Sequence, residues 1–332
     1  MARPGPIVDD LGERETVGTM ALRTRTLLNT GFSRGRALAF PFAFAFALVS
    51  CGGGDSTSPE TPVLVNRTPI LFTSGKDGNI DIYMMEADGS DVRRLTTDAR
   101  IDQHADWSPD GFHFAFMSNR DGDYEVYVML ITERGLQQLT HNTSISDGFP
   151  RWSPDGSRLL FTSNRDGAFN LYVMDADGSN VRRVTQGIGD NSGGAWSPDG
   201  SRIAFLSTRD GSEEVYVIGA DGTNPVRLTT NTDIEGSRIV WSPVTNRIAF
   251  HAYHPDGTAD IYAMDPDGGN LSRLTNASGV NRYPAWTPDG QRIAFTSNRD
   301  GTDEVHIMNV DGSGVTRLTK SAAPAALDSW RR

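Results

Sequence analysis

One five-residue stretch, WSPDG at Trp107–Gly111, constrains this chain more than any other. It returns as WSPDG at Trp152–Gly156 and Trp196–Gly200, as WSPVT at Trp241–Thr245 and as WTPDG at Trp286–Gly290. The tryptophans stand 45, 44, 45 and 45 residues apart. A fixed period in this range marks an array in which each repeat is one supersecondary unit stacked on the next. Six such units use nearly all of the 332-residue chain after residue 67, so the length reads as one repeat domain.

Residues 152 to 185 show how a single unit folds. Ser153–Gly156 places Pro second and Gly fourth, as a type I turn favours. Arg158 to Ser163 then reads as a strand of bulky apolar residues, and SNRDG at Ser163–Gly167 turns the chain again. FNLYVM at Phe169–Met174 alternates in the manner of a half-buried strand. DADGS at Asp175–Ser179 is the third turn, and Val181 to Thr185 reads as the fourth strand. Four short antiparallel strands make a sheet that cannot bury both faces alone. Stacking equivalents around an axis solves that problem and leaves only short edges. The expected fold is therefore all-β, a six-bladed β-propeller of four-stranded antiparallel blades, with each Trp packed near the start of the innermost strand.

The pattern WSPDG…IAFTSNRDG…IYVMDADGS…RLT resembles the WD-repeat-like propeller units of the TolB family, over residues 68 to 319. That resemblance implies protein–protein interaction in the periplasm, with peptidoglycan-associated or outer-membrane proteins. Similar repeats also occur in prolyl-oligopeptidase-like enzymes and oligogalacturonate lyases.

The outer strands end in Leu95-Thr96, Leu139-Thr140, Val184-Thr185, Leu228-Thr229, Leu274-Thr275 and Leu318-Thr319, which counts six blades. The first lacks a WSPDG. The distance from Thr319 to Trp330 matches the distance from each outer-strand Thr to the next Trp. Asp328 to Arg332 is thus expected to supply the inner strand of the first blade and close the ring, with Val63 to Arg67 as the competing segment.

Ahead of the propeller, Arg34 and Arg36 precede an apolar stretch, Ala37 to Val49, of signal-peptide length. It ends in Leu48-Val49-Ser50-Cys51, which resembles the lipobox of bacterial lipoproteins. Residues 1–50 are expected to be an N-terminal extension with the signal, and residues 51–67 the lipidated Cys51 and a Gly/Ser/Pro tether. The propeller takes 68–332. The net charge of −11 offers no basic stripe for nucleic acid, and would not hold anionic lipid without an acyl anchor. A single cysteine excludes a disulfide framework and a multi-cysteine zinc site. The expected location is the bacterial cell envelope, at the outer membrane facing the periplasm.

Following the chain through a blade places the SNRDG turns and the inter-blade loops on one face, beside the channel. Those loops carry Asp102, Asp147, Asn191, Glu235 and Asn281, and the turns carry Arg120, Arg165, Arg209 and Arg299. Acids and bases on one rim either pair with each other or bind a partner; they form the candidate partner-binding set. Blade five departs most, with HAYHPDG at His251–Gly257, which adds His251 and His254. A metal shared with His104 is not expected, because His104 belongs to blade two across the ring. The DADG, DPDG and NVDG turns lack the spacing of an EF-hand loop. DNSGG at Asp190–Gly194 is not followed by a nucleophile elbow. The leading expectation is a monomeric scaffold that binds envelope proteins, with no cofactor, no metal site and no catalytic residue. The alternative is a propeller lyase or hydrolase acting on carbohydrate or a lactone, with a cation in the channel.

Overall fold

The structure is a computed structural model that describes residues 68–230, 238–276, 279–320 and 325–331. Among them are 24 strands in six four-stranded antiparallel sheets, and no helix. Blade two runs Asp102–Trp107, His113–Ser118, Glu125–Leu130 and Gln137–Gln138 from inside to outside. Blade three begins with Asp147–Trp152, blade four with Asn191–Trp196, blade five with Ile239–Trp241 and blade six with Asn281–Trp286. The outer strands are only two residues long, shorter than the RLT-type sequence suggests.

Apolar residues collect in six cores, one for each interface between neighbouring blades. The second strand of each blade explains why. In blade two, Phe114 and Phe116 face blade one, whereas Ala115 faces blade three. In blade four, Ile203 and Phe205 face blade three, whereas Ala204 faces blade five. Successive side chains point to opposite faces of a strand. The IAF pattern therefore makes one bulky face and one receiving face, and large meets small around the ring. Each Trp packs on the preceding blade and is 2–6% exposed. It is the last residue of its inner strand, not near the start as the sequence suggests, because the Ser-Pro turn must follow it directly.

The ring closes with a strand from the C-terminal end. Ala325–Trp330 pairs antiparallel with Ile70–Ser74, with Ile70 opposite Trp330 and Ser74 opposite Ala325. Trp330 and Leu327 then fill the core between blades six and one, with Phe72 and Val305. The competing segment, residues 63–67, lies outside the described residues.

Blades one and three break the bulky–small rule, since Leu71 and Leu160 occupy their receiving faces, toward blades two and four. Blade four compensates with glycine. A Cβ at Gly194 would lie 2.7 Å from Leu160 Cδ2 and 3.1 Å from Leu171 Cδ1. Gly194→Ala is predicted to cost about 1–3 kcal/mol through overpacking. Thermal melts of Gly194→Ala in the native and Leu160→Ala backgrounds check this. The cost should fall once Leu160 is truncated, leaving only the tight contact with Leu171; an equal cost in both backgrounds would refute the compensation.

Candidate functional site

The rim residues singled out from sequence are assembled blade by blade. Arg120 binds both carboxylate oxygens of Asp102, at 2.9 and 3.0 Å. Arg165 reaches Asp147 at 2.7 Å, Arg209 reaches Asn191 at 3.0 Å and Arg299 reaches Asn281 at 2.8 Å. The four inner-strand residues are fully buried. Each arginine also lies over aromatic rings of its own blade, Arg120 4.8 Å from Tyr127 and Arg165 4.8 Å from Tyr172. Its Nε donates to the preceding serine, as at Ser118 and Ser163. The turn's Asn accepts from the inter-blade loop, with Ile101 N on Asn119 and Ser146 N on Asn164, both at 2.9 Å. The S-N-R-D motif is thus a clip that ties the inter-blade loop to its own blade. Glu235 and Cys51 lie outside the described residues.

A second clip explains the R-L-T endings. The threonine hydroxyl accepts from the third strand's backbone, as in Val215 N to Thr229 Oγ1 at 2.9 Å, and donates to that strand's first side chain, Glu214, at 2.6 Å. The arginine two residues before completes the set, Arg227 to Glu214 at 2.7 Å. Blade five keeps this clip on Asp260, with His254 Nε2 added at 2.9 Å. Blade two alone has glutamine, Gln138, at the arginine position.

What repeats in every blade is scaffold; what differs lines the channel. The residue three before the Trp of each inner strand is His104, Phe149, Gly193, Arg238, Tyr283 and Leu327. His104, Phe149 and Tyr283 sit at bulges with φ of 55°, 54° and 55°, a left-handed conformation that costs about 1–2 kcal/mol for a non-glycine residue. The bulge carries these rings across the axis. His104 packs at a tilt on Phe149 at 4.3 Å and meets Tyr283 edge-on at 6.5 Å between centroids. His251 reaches the same Tyr283 at 5.6 Å. It lies buried on the strand Ile248–Tyr253, not in the variant turn. Side chains from blades two and six, which flank blade one, therefore meet inside the ring.

Beside this plug lie four charged groups that the sequence reading did not single out. Arg238 Nη1 donates to Leu327 O at 2.8 Å, and Thr73 Oγ1 donates to Asp328 Oδ2 at 2.6 Å. Asp106 accepts from Trp152 N at 2.8 Å and faces Arg151 at 3.9 Å. Burial pushes the Asp328 carboxyl up to about 6, although Arg238 and Thr73 pull it down. Burial and the neighbouring Arg151 bring Arg238 down to about 9. Toward the Trp end, a chamber of about 50 Å³ is walled by Trp152, Trp196, Trp241, Trp286 and Trp330, with Arg151, Arg238 and Asp106. The buried indole N–H groups of Trp152, Trp286 and Trp330 and the Arg238 Nε–H have no acceptor among the described residues. Only the variation of these positions between repeats signals them in the sequence.

Burial, then the charge of Arg238, lowers both channel histidines to about 3. Both are neutral in the fold and titrate near 6.5 when it opens. The stability they contribute is present above pH 6.5 and is lost as pH falls toward 3, at about 1.4 kcal/mol per histidine per pH unit. Between about pH 7 and 5, His251→Leu should therefore lose about 2 kcal/mol less stability than the native chain. Melts at the two pH values check this; identical losses would contradict a buried neutral His251.

The description "TolB beta propeller domain" fits a family model over residues 65–147, 135–239 and 235–330. An uncharacterized protein of Agrobacterium fabrum is 31% identical over 255 residues, 74% of this chain and 69% of its own. The Tol-Pal system protein TolB of Desulfosudis oleivorans is 48% identical over 54 residues, which span 16% of this chain and only 12% of that protein. The crystal structure of TolB from Acinetobacter baumannii superposes with a TM-score of 0.69 at 21% identity, covering 79% of this chain and 67% of that one. The chain belongs to the TolB beta propeller domain family.

Proposed function

We propose that this chain is a protein-binding scaffold of the bacterial envelope whose partner places a carboxylate or carbonyl group in the Trp-walled mouth of the channel. The observation that carries this reading is the excess of donors there. Three indole N–H groups of tryptophans that wall it, and Arg238 Nε–H, have no acceptor among the described residues, beside the guanidinium of Arg151. Buried donors left unmade are costly, and a charged acceptor satisfies several at once. A chamber of about 50 Å³ suits one small group at the tip of a larger partner. The rim pairs Asp102–Arg120, Asp147–Arg165, Asn191–Arg209 and Asn281–Arg299 shape the opposite face by holding its loops, and His254 braces Asp260 in the same way.

The family relation supports the envelope setting, since a relative is named for the Tol-Pal system. Within this reading residues 1–50 carry the export signal, Cys51 the lipid, and residues 51–67 tether a monomeric propeller, at the outer membrane facing the periplasm. The enzyme reading needs a cation in the channel. Arg238 acts electrostatically on both channel histidines, and its charge opposes a cation beside them.

Cross-linking of the full-length protein in intact cells, with mass spectrometry of what is captured, tests the proposal. One dominant protein partner is expected. Arg151→Gln should reduce its capture by about tenfold or more, the loss of one charge-assisted hydrogen bond, with the melting temperature monitored beside it. Undiminished capture by folded Arg151→Gln would exclude the channel mouth. Capture of no protein would overturn the scaffold reading.

A further inference from the structure

Blade two carries three carboxylates where the other blades carry a guanidinium. In each blade the turn aspartate is followed four residues later by an acid or amide at the start of the third strand. An arginine of the outer strand binds the second of them: Arg94 to Asp81 at 2.5 Å, Arg183 to Asn170 at 2.9 Å, Arg227 to Glu214 at 2.7 Å, Arg317 to Glu304 at 2.6 Å, and Arg273 to Asp260. In three blades the same arginine also reaches the turn aspartate, as Arg183 does Asp166 at 3.3 Å. Blade two has the acids, Asp121 and Glu125, but Gln138 in place of the arginine. It also adds a carboxylate, Asp123, where its counterparts are Asn79, Ala168, Ser212, Thr258 and Thr302.

The side chains respond to that exchange. Gln138 Nε2 donates to Asp121 Oδ2 at 2.5 Å and makes no bond to Glu125. Glu125 is fully buried, and its Oε2 has no hydrogen-bond partner of ordinary geometry among the described residues, although the Thr140 hydroxyl is near enough to favour the charged form. Its other oxygen accepts from Asn142 N. One oxygen from each of Asp121, Asp123 and Glu125 lies within 4.8 Å of the others. Calcium takes oxygen ligands at about 2.3–2.6 Å, so inward shifts of a few tenths of an ångström at most let a single ion bond all three. Magnesium, at about 2.0–2.1 Å, demands a tighter set. Asp121 is exposed and Asp123 half-buried, which leaves the outer side of such an ion to water.

We infer that blade two holds a divalent cation of the calcium class between Asp121, Asp123 and Glu125, in the place that the outer-strand arginine fills elsewhere. The ion completes the repeat's own clip by other means. It balances the buried charge of Glu125, beside which Asp147 and Asp123 add further negative charge. It also braces the connection from blade two to blade three. Asp123 accepts from Ile145 N at 3.2 Å, and Asn142, bound to Glu125 through its backbone, donates to Asp147 at 2.6 Å. The site stands apart from the channel and uses no residue of its mouth.

Calorimetric titration of chelator-treated full-length protein with calcium chloride tests the assignment, with melting curves measured beside it. The native chain should bind one equivalent, and saturation should raise its melting temperature by roughly 3 °C or more. Gln138→Arg should restore the guanidinium, abolish binding and melt no lower than the calcium-free native chain. Asp123→Ser should weaken binding by about tenfold or more, which keeps the test open should the arginine variant fold poorly. No heat and no shift in the native chain at about 10 mM calcium, above the range of the weakest extracellular calcium modules, would overturn the inference. So would undiminished binding by Gln138→Arg or by Asp123→Ser.

Discussion

Everything in this molecule depends on one constraint: a four-stranded blade has two apolar faces and cannot cover either. Each face is covered only by the next blade, so the cores lie between blades and none lies within one. The tryptophan at the end of each inner strand is the largest contribution a blade makes to its neighbour. An open array would leave two faces wet, and only closure removes both. The strand Ala325–Trp330 is therefore as much part of blade one as Ile70–Ser74, although some 250 residues separate them in the chain.

With the cores repeated six times, the polar residues divide into two kinds. The arginine, serine and asparagine of the S-N-R-D turns, and the arginine and threonine of the R-L-T endings, satisfy buried backbone and side-chain groups inside one blade. Buried polar atoms must be paired, and the repeat pairs them in a standard way. Individuality is confined to positions where the standard pairing is broken. These are the channel residues of the inner strands, the histidine-bearing second strand of blade five, and the acid cluster of blade two. The channel is donor-rich and the blade-two cluster acceptor-rich, so the two call for opposite ligand chemistry.

Much of the fold was legible in the sequence because the same message is written several times. The period, the Ser-Pro-Asp-Gly turns and the alternation in IAF each point to one architecture, and the spacing from Thr319 to Trp330 located the closing strand. The place of tryptophan within its strand was misjudged, since the turn that follows it fixes the strand's end. The rim was legible as composition but not as geometry. Asp102 and Arg120 are 18 residues apart, and only the pairing of the inner and second strands brings them into contact. The channel was less legible still. The bulges at His104, Phe149 and Tyr283 send side chains across the axis, and neither periodicity nor propensity encodes that. The DGDYE run at Asp121–Glu125 reads as one more Asp-Gly turn until the missing partner at Gln138 is set beside it.

Removing residues 325–332 and following thermal unfolding tests closure most directly, because it takes away one strand while leaving every WSPDG unit in the chain. The core between blades six and one would lose Trp330, Leu327 and Ala325 together, and Ile70–Ser74 would lose its inner partner. Burial of one large side chain such as tryptophan is worth about 3–5 kcal/mol. The truncated chain should therefore melt at least 10 °C lower, by the size dependence of roughly 2–4 °C per kcal/mol, or fail to show a cooperative transition. An unchanged melting temperature would mean that the ring is held shut by something else.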